Sequence, residues 1–114
     1  MIRPLLLAVT AATPAFADAF GDVGGCARHA GAAPPTDMAV LYDGAAIHLW
    51  EARCAVTGAT QAGAGGVFLD TVCTGEGETW PMRWLLTTPA DPDKLTLRAT
   101  DPADAPRHRL RRCR

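Results

Sequence analysis

From Met38 onward, short apolar stretches alternate with turn residues, and no stretch sustains a helical period. The clearest alternation is Trp80, Met82, Trp84 and Leu86 on one face against Thr79, Pro81, Arg83 and Thr87. A period of two predicts a half-buried strand. Pro81 lacks a ladder donor, which places it near a strand start or on a sheet edge. Leu95, Leu97 and Ala99 repeat the pattern within a strand predicted over 94–100, between turns at 89–93 and 101–106. Upstream, a strand over 38–42 stops at Asp43-Gly44, and a second runs 46–56 with apolar residues on both faces. A flexible connection, TGATQAGAGG (57–66), leads to a strand over 67–74 with Val67, Leu69, Thr71 and Cys73 aligned. Arg107 to Cys113 closes the domain. These signals predict an all-β domain: a small antiparallel meander or barrel of five to six strands over 38–114. Residues 18–37, rich in glycine, alanine and proline, read as an irregular N-terminal arm without a helix.

The amino-terminal pattern is of another kind. Arg3, the apolar stretch from Leu5 to Val9 and Ala15-Phe16-Ala17 match the charged, apolar and cleavage regions of a secretory signal peptide over 1–17. That apolar run is too short to span a bilayer, so no transmembrane segment is expected. Val23-Gly24-Gly25-Cys26 loosely resembles a lipidation box, but Asp18 and Asp22 place charge where such a signal must be apolar. The expected location is therefore periplasmic or secreted.

Export changes the meaning of the four cysteines. In an oxidising compartment Cys26, Cys54, Cys73 and Cys113 imply two disulfides, with three possible pairings. Folding the chain back near Gly63 sets Cys54 opposite Cys73, which favours Cys54–Cys73 together with Cys26–Cys113.

Net charge is −1, but the tail RHRLRRCR concentrates five arginines and the chain before it is acidic. On a strand, Arg107, Arg109 and Arg111 share a face and form a ladder of forked donors suited to phosphate or carboxylate. The plainer expectation is a solvated edge that discourages strand addition and pairs with acidic turns. Glu76 and Glu78, two apart in a glycine frame, read as a polar hairpin tip flanked by tryptophans. A catalytic carboxylate pair needs an enclosure that keeps one member protonated, and the turn offers none. His29, His48 and His108 lie in no recognised ligand spacing, and oxidised cysteines do not bind metal, so neither metal nor cofactor is expected. The chain contains no serine, which removes the commonest hydroxyl nucleophile.

Tyr42…Trp50-Glu51-x-x-Cys54, then Cys73-x-Gly75-Glu76-Gly77-Glu78-x-Trp80-x-x-Arg83, then Cys113, resembles small exported two-disulfide proteins of alphaproteobacteria over about residues 38–114. That resemblance implies export and stapling but no activity. Size, export and two disulfides are also similar in general plan to periplasmic inhibitors of lysozyme, although their serine-glycine inhibitory loop has no counterpart here. The resulting expectation is a non-enzymatic binding domain for a protein or envelope component, of inhibitor type, with no nucleic-acid partner. The alternatives are anion or polyanion binding of lipopolysaccharide type through the arginine strand, and a small hydrolase using Glu76 and Glu78.

Overall fold

The computed structural model describes residues 18–33 and 39–114; the predicted signal segment and Met38 lie outside the described residues. Eight antiparallel strands among them follow chain order around a closed barrel: β1 (Phe20–Gly21), β2 (Leu41–Tyr42), β3 (Ala46–His48), β4 (Arg53–Gly63), β5 (Gly66–Gly75), β6 (Glu78–Thr87), β7 (Lys94–Ala99) and β8 (Arg107–Arg112). The all-β expectation holds, with eight strands rather than five or six.

The structure departs from the expected outline in three places, two of which add a strand, and each has a physical reason. The stretch 46–56 is two strands, not one. Chain reversal at 49–52 brings Ile47 directly opposite Cys54, and both are fully buried. That reversal resolves the two apolar faces seen in the sequence. The stretch 57–66 is not a flexible connection: its first part extends β4 along β5, with register shifts at Val56/Gly58 and Gln61/Gly63. Residues of low strand propensity become strand there because a committed partner runs alongside.

The N-terminal arm supplies the other added strand. Phe20 and Gly21 pair with Tyr42 and Leu41 on one side and with Arg112 and Arg111 on the other, so β1 closes the barrel. A short helix, α1 (Val23–His29), follows directly. Two glycines in seven residues argue against a helix. Tertiary contacts override them: the Asp22 carboxylate accepts from the Gly25 N–H at 2.6 Å and the Val40 N–H at 3.1 Å. Gly25 is also required by proximity, because a Cβ there would lie 1.9 Å from the Val40 carbonyl oxygen.

Two disulfides staple the barrel, Cys26–Cys113 across the closing seam and Cys54–Cys73 between β4 and β5. With its sulfur bonded to Cys113, Cys26 has no thiol to lipidate. The Cys54–Cys73 bridge lies in the core beside Ile47 and Leu97, with Leu69, Trp84, Leu95 and Leu110 around it. Cys54 opposite Cys73 is the register set by the return near Gly63.

Ion pairs dress the exterior. The Arg112 guanidinium donates to Asp93 at 2.9 Å and also pairs with Asp18, tying the segment before β1 to the β6–β7 turn. The Arg112 hydrogen bond holds Asp93 below the usual carboxylate range, and the Arg83 hydrogen bond does the same for Asp70. At Asp43 burial pushes the carboxyl up, but hydrogen bonds from His48, Ala46 and Ala45 outweigh it and the pKa falls. Carboxylates lowered on folding stabilise the protein above their unfolded pKa of about 3.9, and that stability is lost as pH falls through the folded values. The melting temperature is accordingly expected to stay flat from about pH 7 to 5 and to drop below about pH 4. Asp93→Asn should make the acid drop shallower in thermal melts followed by circular dichroism.

Candidate functional site

On β7 the buried Leu95, Leu97 and Ala99 alternate with Lys94, Thr96 and Arg98, which therefore face outward. On β8, buried Leu110 fixes the opposite alternation and turns Arg107, Arg109 and Arg111 to solvent. The ladder then sets like against like. Lys94 lies opposite Arg111, Arg98 opposite Arg107, and Arg109 opposite Thr96. Five cations thus occupy one two-stranded face, about 14 Å long at the rise of an extended strand.

Like charges directly opposite one another destabilise a sheet. Acidic turns flank this face at both ends, and of the five cations they reach only Lys94. Asp93 takes Arg112 and Arg114, and Asp91 lies 4.0 Å from Lys94. Among the described residues, Arg98, Arg107, Arg109 and Arg111 form no ion pair. The arginines expected to share a face do so, but they do not pair with acidic turns as a merely solvated edge would. Lys94 and Arg98 were not singled out in the sequence. Their outward position was legible from the β7 alternation, whereas their register against β8 was not.

The glutamates occupy the far end of another hairpin. Glu76 and Gly77 form a two-residue turn with φ of 51° and 79°, the left-handed pair that a twisted antiparallel hairpin prefers. Glu78 opens β6 opposite Gly75. The chain reverses between the two carboxylates instead of running extended, and both are exposed. The 49–52 turn packs beside them. A cleft of about 420 Å³ separates the two turns, lined by Trp50, Glu51, Glu76, Glu78 and Trp80. Trp50 is 47% exposed there. The tip is therefore acidic and aromatic, opposite in charge to the β7–β8 ladder.

His48 faces the Asp43 carboxylate at 2.9 Å within the β2–β3 turn, a structural contact. Among the described residues no group of three or more His, Cys, Asp or Glu is placed to hold a metal ion, and no helix is long and apolar enough to cross a membrane. Comparison with protein-family models, with curated proteins and with solved structures finds no match.

Proposed function

We propose that this chain is a non-catalytic, exported binding domain whose β7–β8 face takes an anionic polymer or an anionic envelope surface. The observation that carries the reading is the set of four arginines on one face without ion-pair partners among the described residues, three of them in the like-charge cross-strand register that costs stability. Forked guanidinium donors spaced along a strand suit phosphate or carboxylate groups repeated on a partner. Two disulfides, with no free cysteine left, fit an oxidising compartment, and the β7–β8 pairing holds the ladder to a fixed spacing. Lipopolysaccharide-type headgroups are the partner class meant.

The test is equilibrium binding of the oxidised protein, residues 18–114, to vesicles carrying lipopolysaccharide, compared with neutral phosphatidylcholine vesicles, at increasing salt. Binding only to the anionic vesicles, weakening steeply between about 0.05 and 0.5 M salt, is expected because exposed charges are screened over a Debye length. Equal binding to both vesicles, or no salt dependence, would rule it out.

A second reading rests on Trp50. A half-exposed tryptophan beside three carboxylates suits an anchor for a basic protein partner, since tryptophan is enriched in binding hot spots. It predicts that Trp50→Ala abolishes capture of such a partner while leaving vesicle binding intact.

A further inference from the structure

At the barrel end that carries the 49–52 turn and the β7–β8 loop lies a separate cavity of about 360 Å³. Met82 and Trp84 of β6, Ala99 of β7, Leu49 and the loop residue Ala105 form its apolar wall. An eight-stranded barrel is just wide enough either to be filled by side chains or to hold one small ligand. Here the deep core is filled, by Ile47, Leu97, Leu110 and the Cys54–Cys73 bridge. The small side chains Ala99 and Ala105 leave space at the end. The volume falls in the range of small-molecule sites, which are mostly apolar with a few placed polar groups.

A second observation bears on the occupant. Trp84 is 2% exposed, and its indole Nε1–H is buried with no hydrogen-bond partner among the described residues. Buried indoles usually find an acceptor, and an orphaned one calls for a cause. The polar groups of the wall are Asp101 and Asp104, which are exposed, and the half-buried His108, which the β8 alternation turns inward; none of them is hydrogen-bonded to the indole.

We propose that this cavity binds a small, neutral, largely apolar molecule that presents one hydrogen-bond acceptor, such as a carbonyl oxygen, to the Trp84 indole N–H. An anionic head would meet Asp101 and Asp104 at the mouth. A cationic one would leave the indole donor unmet. The indole N–H is covered in this structure, so the proposal requires a wall side chain to move, and Met82, two residues along the same strand face and built from single bonds, is the one best suited to do so. This site shares no residue with the arginine ladder, so it stands or falls independently of anion binding.

Acetophenone and α-methylstyrene differ in little but the replacement of a carbonyl oxygen by a methylene, and they make the test. Each is titrated into the oxidised, 15N-labelled protein while the three indole N–H resonances are followed. A saturable downfield movement of the Trp84 resonance with acetophenone is expected, with α-methylstyrene binding about tenfold more weakly because it leaves the donor unpaired. Trp84→Phe should equalise the two affinities, and Ala105→Phe, placed on the loop, should abolish both by filling the space. Indole shifts confined to Trp50 or Trp80, equal affinity of the two probes for the wild-type protein, or unchanged binding to Ala105→Phe would each overturn the assignment. The loop variant keeps the test valid if the buried Trp84→Phe protein fails to fold.

Discussion

Replacing Arg98, Arg107, Arg109 and Arg111 together with glutamine is expected to weaken binding to anionic vesicles by about three decades at low salt. A cation held near an anionic lipid surface contributes roughly 1 kcal/mol, and each 1.4 kcal/mol is a decade. None of the four has an ion pair to lose among the described residues, so the change should not cost the fold. It should do the reverse. Removing Arg98 opposite Arg107, and Arg111 opposite Lys94, relieves like-charge pairs, and urea midpoints should rise by an amount equivalent to about 0.2–1 kcal/mol per pair. Arg112→Gln is the informative contrast. Its guanidinium serves Asp93 and Asp18 and lies 4.9 Å over the Phe20 ring, so its loss should lower stability and raise the Asp93 pKa. Vesicle binding should barely change. A ladder kept only for solubility would instead lose no more than nonspecific retention on any negative surface.

Loss of Cys26–Cys113, as the paired change Cys26→Ala with Cys113→Ala, is expected to cost about 4.5 kcal/mol. Releasing a chain constraint 87 residues apart restores that much entropy to the unfolded state on the loop-closure model. The whole stability of a domain this size is about 5–15 kcal/mol. The effect should also be local before it is global. β1 has only two residues, and they supply the entire seam between β2 and β8. Amide exchange at Phe20, Gly21 and their β8 partners should therefore accelerate well below the unfolding midpoint. Cys54–Cys73 closes a separation of 19 residues, about 3 kcal/mol by the same model. Both sulfurs are fully buried, however, so the alanine pair also loses core packing. Urea titrations of the two double variants, with near-ultraviolet circular dichroism, separate the seam from the core.

Where one residue type carried an unambiguous signal, the fold was legible beforehand. Trp80, Met82, Trp84 and Leu86 share the inward face of β6, and Leu95, Leu97 and Ala99 point inward on β7. The cysteine register followed from a return near Gly63. The 49–52 turn was not legible, because Leu49-Trp50-Glu51-Ala52 holds no glycine, proline or asparagine to mark it. α1 was hidden by its own glycines, since what stabilises it is an aspartate cap and a bridge to the far end of the chain. Of the candidate site, half was visible. Arg107, Arg109 and Arg111 share a face by period alone, whereas Lys94 and Arg98 join them only through a register that the 100–106 loop sets. The Trp84 cavity depends on how that same loop covers the barrel end, which no periodicity encodes.

The central claim, that the β7–β8 face is the binding surface, is tested most directly by mapping amide and arginine side-chain resonances of the oxidised, 15N-labelled protein during titration with lipopolysaccharide oligosaccharide. The account predicts saturable, salt-sensitive shifts concentrated at Lys94, Thr96, Arg98, Arg107, Arg109 and Arg111. Shifts that cluster instead around Trp50, Glu76 and Glu78, or no shifts at any position at low salt, would contradict it.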